Sequence, residues 1–256
     1  MKHLVILNLT VVAGFMMLAS SMFISCSTRE TEENWISLFN GKNLEGWEIK
    51  IAGYELGENY ANTFRVEDGV LLVCYDQYDQ FDNRFGHIFY HQPFSHYKLR
   101  LEYRFYGEQA AGGGSWAQRN NGIMFHSQSA ASMEFDQYFP VSVEAQLLGG
   151  LGEGHRPTGN ICTPGTNVEV NGVRIYDHCI EADAPTFHGD QWVHFELVVY
   201  GDSLVHHIVE GDTVITYGNI RLEENGLPLK KGHIALQAES HPTAFRNIEL
   251  LEISSE

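Results

Sequence analysis

From Trp35 onward the chain alternates short apolar runs, rich in β-branched and aromatic residues, with turns rich in Gly, Asn and Asp. The runs are Trp35–Phe39, Trp47–Ile51, Val70–Tyr75, His87–Tyr90, Tyr97–Tyr106, Gly122–His126, Val141–Leu148, Val193–Tyr200, Leu204–Val209, Thr213–Tyr217, His233–Glu239 and Phe245–Ile253. Many short strands at this spacing predict an all-β sandwich or barrel. Within several runs the period is two, so each strand has a core face and an outer face. Val141, Val143, Ala145 and Leu147 oppose Ser142, Glu144 and Gln146, while Ile234, Leu236 and Ala238 oppose Gln237 and Glu239. Ile123 and Phe125 oppose His126, and Val193, Phe195, Leu197 and Val199 oppose His194 and Glu196. A curved sheet would gather these polar faces into one groove. The stretches Gly107–Asn121 and Gly149–Thr166 read as long loops, which on a sandwich carry function or motion. No stretch has the 3.6-residue period of a helix, and there is no internal repeat or Pro-rich linker.

The first 25 residues read differently. Lys2 and His3 precede an uncharged apolar run from Leu4 to Phe23. This is the layout of a secretory leader, with a membrane-spanning helix as the alternative for a run of this length. Phe23-Ile24-Ser25-Cys26 closes it and resembles a bacterial lipobox, although Leu is the commoner residue at the place of Phe23. The expectation is a leader over 1–25, lipidation at Cys26 and a polar tether over 26–34. The chain would then be held by lipid on the cell envelope, at its periplasmic or outer surface. About 220 residues remain, enough for one sandwich domain over 35–254.

The formal charge of −17 becomes −18 once the single charge of Lys2 is removed. Such a surface repels nucleic acid and anionic lipid, so no nucleic-acid partner is expected. Cys162 and Cys179 are close in sequence and suit a disulfide after export. Cys74 lies in the apolar run Gly69–Tyr75 and reads as a buried thiol.

Four segments resemble, in order, the motifs of the 3-keto-disaccharide hydrolase domain family. They are Trp35-Ile-Ser-Leu-Phe-Asn40-Gly41-Lys42-Asn43-Leu44-Glu45-Gly46-Trp47, Asn121-Gly122-Ile123-Met124-Phe125-His126, Val143-Glu144-Ala145-Gln146-Leu147-Leu148, and Gly232 to Gln237 continuing through Phe245-Arg246-Asn247-Ile248. The resemblance implies a concanavalin A-like jelly roll of two antiparallel sheets. It also implies sugar chemistry on a glycoside already oxidised at C3, and an oxidoreductase elsewhere that makes that ketone. Many family members carry Asp-His after the Gln, where this chain has Ala238 and Glu239.

A ketone at C3 acidifies the hydrogen on C2. A base removes it, the enolate expels the substituent on C1, and water adds back. The site needs a base, an acid for the leaving group and a group that steadies the enolate oxygen. His126, Glu144 and Glu239 are the candidates for acid–base work. Gln146, Gln237, Asn121, Trp116, Arg119 and Arg156 are the candidates for holding substrate, Trp116 by covering a sugar face. Glu144 and His126 could alternatively bind a divalent ion that steadies the enolate, and a surface carboxylate is the plain alternative for Glu144. No organic cofactor is expected, since no dinucleotide fingerprint occurs. Arg246 is expected to pair with a carboxylate. Glu134-Phe-Asp136-Gln-Tyr138 begins like the alternating acids of retaining glucanases but has Tyr138 in the third place, which argues against that mechanism. The competing reading is a lectin-like, non-catalytic carbohydrate-binding domain, because sandwiches host both.

Overall fold

A computed structural model describes Met1 and residues 33–254. The leader beyond Met1, Cys26 and most of the tether lie outside the described residues.

In chain order the strands are β1 (Ile36–Ser37), β2 (Trp47–Ile51), β3 (Phe64–Glu67), β4 (Val70–Val73), β5 (Gly86–Tyr90), β6 (His96–Phe105), β7 (Asn120–Ser127), β8 (Val143–Leu148) and β9 (Asn160–Cys162). They continue as β10 (Thr166–Val170), β11 (Val173–Ile175), β12 (Cys179–Ile180), β13 (Val193–Tyr200), β14 (Leu204–Val209), β15 (Asp212–Leu222), β16 (His233–Ala238) and β17 (Thr243–Glu252). One sheet has ten strands in the order β11-β10-β15-β14-β13-β6-β17-β4-β3, with β1 added beside β17. The other has seven, in the order β12-β9-β8-β7-β16-β5-β2. Every pairing between strands is antiparallel. The expected all-β sandwich of two antiparallel sheets is what the chain forms.

Period-two patterning sets the layers. Along β6, Tyr97, Leu99, Leu101, Tyr103 and Phe105 are buried while Lys98, Arg100, Glu102 and Arg104 face outward. Phe125 of β7, Phe195 of β13 and Phe245 of β17 meet these inner residues in one core. Each side chain so buried contributes about 1.5–3 kcal/mol. On the outer face of the ten-stranded sheet Arg246 pairs with Glu102 at 2.9 Å, as expected of that arginine. Cys74 is buried as expected, with its thiol 3.2 Å from the Tyr106 hydroxyl.

The stretch 149–166 differs from the loop expected there, since it contains the short strand β9 and opens β10. Three-residue strands are too short to show alternation in a sequence.

Candidate active site

The outer face of the seven-stranded sheet carries the polar side chains. Glu144 and Gln146 leave β8 on that face, and Val143, Ala145 and Leu147 enter the core. They open into a cleft of about 270 Å³ lined by Trp116, Asn120, Phe139, Gln146 and both members of a carboxylate pair, Glu144 and Glu239. That volume suits one sugar ring better than an extended oligosaccharide.

Glu144 and Glu239 are buried, 6% and 3% exposed. Burial pushes the Glu144 carboxyl up to about 8. Burial raises Glu239 well above the carboxylate range, and the charge of Glu144 raises it further, with Arg156 opposing. Burial and mutual repulsion keep these two acids from both ionising near neutrality. Glu239 Oε2 has no hydrogen-bond partner among the described residues, and neither has Asn120 Oδ1.

Local structure explains the placement. Gly122 of β7 pairs with Gln146, and its missing side chain leaves the space into which Glu144 leans. Glu239 sits just past the end of β16, before Ser240, whose φ of +86° turns the chain sharply. The Tyr75 hydroxyl accepts from Ser240 N at 2.9 Å, and Gln109 Nε2 donates to Ser240 Oγ at 2.8 Å, holding that turn. Strained backbone at a site edge is where function is commonly found. Gln146 accepts from Asn160 Nδ2 at 3.1 Å, which fixes its amide at the wall.

Cys162 of β9 and Cys179 of β12 are disulfide-bonded and face each other across that strand pair. Both line the cleft with Pro164 and His178, so the expected bridge forms part of its wall.

The other expected site residues divide. Trp116 stands at the cleft, 56% exposed, stacked on Phe85 at 6.0 Å. Gln237 lies on the groove face of β16, fully buried. Arg156 is half-buried beyond Glu239 and donates to the Arg119 carbonyl at 3.0 Å; its charge is its link to the acid pair. Arg119 does not join Trp116 over the cleft. Its guanidinium is held by Asp190 at 3.1 Å and by the Gly189 carbonyl.

Two placements are corrected. Asn121 faces inward with Ile123 and Phe125, and its amide donates to Gln237 O at 2.8 Å and Thr243 Oγ1 at 3.1 Å. It ties β7 to the opposite sheet and does not meet the cleft. His126 also leaves the groove. A register shift of β16 against β7 and a φ of +46° at His126 re-aim the ring, and Nε2–H donates to the Gly201 carbonyl at 2.8 Å. Burial lowers this imidazole to about 4, so it stays neutral. Glu144 and His126 therefore do not converge as ion ligands. Among the described residues no group of three or more His, Cys, Asp or Glu is placed to hold a metal.

Sequence reasoning passed over His87, Phe139 and His241. His241 follows the Ser240 turn, is 2% exposed, and has both ring nitrogens unpartnered among the described residues. Burial lowers it to about 4, and Arg119 and Arg156 act in the same direction. The signal available was its spacing, two residues beyond Glu239.

A family model described as the 3-keto-alpha-glucoside-1,2-lyase-like domain matches residues 34–251. The chain belongs to this family. Membership supports a carbohydrate-related function for the chain. Two crystal structures of candidate glycosyl hydrolases from Parabacteroides distasonis superpose with TM-scores of 0.53 at 18% identity, over 86% and 87% of this chain and 100% and 95% of theirs. The exoplasmic/lumenal domain of VIP36, bound to Ca2+ and Man3GlcNAc, superposes with a TM-score of 0.53 at 12% identity, over 88% of this chain and 90% of its own. These likenesses establish the jelly-roll fold. No curated protein matches the sequence.

Proposed function

We propose that this protein cleaves glycosides carrying a ketone at C3, by elimination and rehydration, with Glu144 and Glu239 as its acid–base pair. The observation that carries the reading is the buried pair itself: two adjacent carboxyl groups, both raised, lining a cleft of one-ring size.

Elimination needs a base and an acid at once, and the pair supplies both in its singly ionised form. The ionised carboxylate takes the proton from C2, and the electron pair of that C–H bond forms the C2–C3 enolate. The enolate collapses to a C1–C2 double bond as the C1–O bond breaks. The protonated partner gives its proton to the departing oxygen. The pair has then exchanged roles with its proton count unchanged. In the second half, the newly ionised member takes a proton from water as the oxygen adds to C1, and the other returns a proton to C2. The products are a free alcohol or sugar and a 3-keto monosaccharide, and the pair is restored.

The same reading takes in the leader. The chain is exported, lipidated at Cys26 and held at the envelope, where an oxidoreductase of another protein supplies the 3-keto substrate.

The test offers the purified protein a 3-keto-disaccharide and its unoxidised parent, and follows monosaccharide release by chromatography. Release from the keto form alone is expected. No release from either, or binding of both without turnover, favours the lectin-like alternative and ends the enzymatic reading.

A further inference from the structure

One cross-strand row of the seven-stranded sheet, from β2 to β9, is polar except at Gly122. Lys50 of β2 pairs with His87 of β5, and His87 pairs with Gln237 of β16. Leu236 is level with Ile123, which places Gln237 beside Gly122 of β7. Gly122 pairs with Gln146 of β8, and Gln146 with Asn160 of β9. Most of the row is satisfied. Lys50 Nζ donates to the Tyr54 carbonyl at 2.7 Å and the Phe135 carbonyl at 2.9 Å. Asn160 donates to Gln146.

His87 and Gln237 are the exception. Both are 0% exposed. Neither ring nitrogen of His87 and neither polar atom of the Gln237 amide has a partner among the described residues. An unsatisfied buried group costs about 1–3 kcal/mol, and here four such atoms stand side by side. Folded proteins accept that cost where something else completes the hydrogen bonds.

Their surroundings indicate what completes them. Gln237 flanks the bare backbone of Gly122, over which Glu144 leans, and Glu239 follows two residues later on the same face. The His87 ring meets the edge of Phe139 at 6.2 Å, and Phe139 lines the cleft. Phe139 thus touches both His87 and the cleft.

We propose that His87 and Gln237 together bind the oxygen on C3 of the sugar, first as ketone and then as enolate, once the Phe139 ring turns aside. The inference rests on the elimination reading. When the C2–H electron pair enters the C2–C3 bond, negative charge moves onto this oxygen. A neutral imidazole N–H and an amide N–H donate to it there, and the charge is withdrawn again as the C1–O bond breaks. Burial keeps His87 neutral, pressing it down to about 3, so it acts as a fixed donor and does not consume the proton that the carboxylates exchange.

The experiment compares wild type with His87→Phe, Gln237→Leu and His87→Gln. It measures kcat and KM on a 3-keto-disaccharide, exchange of the C2 hydrogen with D2O by NMR, and Tm. The apolar variants are expected to lose roughly 100-fold in kcat with a smaller change in KM, and to slow C2 exchange. Their Tm should equal or exceed that of wild type, because they remove unpaired buried polar atoms. His87→Gln, which keeps a donor, should recover part of the rate. Full kcat in both apolar variants beside an active wild type overturns the inference alone. So does a loss of activity that tracks a lower Tm in both, the mark of a structural pair. A wild type that neither turns over nor exchanges C2 overturns the elimination reading and this inference with it.

Discussion

Glu144 lies across the backbone of Gly122, so that a Cβ at residue 122 would stand 2.6 Å from Glu144 Cγ and 2.7 Å from its Cδ. One member of the proposed acid–base pair is therefore aimed by an absence, a residue with no side chain two strand positions before Met124.

Gly122→Ala tests this aim. Residue 122 has no left-handed φ, so the strand itself tolerates alanine. The new methyl displaces Glu144, with overpacking of about 1–3 kcal/mol. We expect kcat to fall at least about tenfold, while circular dichroism reports an intact sheet. Unchanged kcat would remove Glu144 in this position from the acid–base pair.

The carboxylate pair and the buried histidines pull stability in opposite directions with pH. Glu144 and Glu239 hold protons in the fold that the unfolded chain releases near the ordinary 4.5, so stability falls as pH rises from there toward about 8. His87, His126, His207 and His241 have folded values of about 3 or 4 against an ordinary 6.5. The unfolded chain binds more protons below 6.5, so their contribution is complete above that pH and is lost as pH falls toward 4. Tm should peak near pH 6.5. Glu144→Gln should flatten the alkaline side, and an alkaline fall as steep as that of wild type would contradict the raised pair.

The Cys162–Cys179 bridge closes 17 residues and forms cleft wall. Replacing both by Ser should cost about 3 kcal/mol on loop-closure grounds. KM should rise more than kcat falls, because the wall loosens while the carboxylate pair stays on β8 and the β16 turn. A double variant with wild-type KM would show that this wall does not touch substrate.

His126→Ala separates strut from catalyst. Losing the hydrogen bond to Gly201 leaves a carbonyl unsatisfied, at about 1–3 kcal/mol. Chemical denaturation should register that loss, while kcat measured well below Tm should stay within about twofold. A hundredfold loss of kcat in a folded variant would restore His126 to the site.

Much of the fold was legible because its strands alternate cleanly. The two faces of Val143–Leu148 are those read from the residues alone, and Val193–Tyr200 and Leu204–Val209 have the expected ends. The groove was legible where parity held, as for Glu144, Gln146, Gln237 and Glu239. It failed at His126, where counting by twos from Ile123 and Phe125 points the ring outward. The register shift and left-handed backbone that redirect it depend on β16, distant in sequence. Asn121 shares the parity of Ile123, so its inward aim was readable, but the turn-like Asn-Gly pair masked it. His87 was hidden for another reason. Its importance comes from having Gln237 as a neighbour, a fact of strand register rather than of local pattern.

The strict inside–outside alternation of β8 and β16 has a consequence for divergence among relatives. Groove-facing and core-facing residues sit on the same strands but are separated by the thickness of one backbone. Side chains in the polar row can be exchanged without repacking Val143, Ala145, Leu236 or Ala238 beneath them. Such a sheet can explore new sugars by changing one face while the other keeps the domain folded.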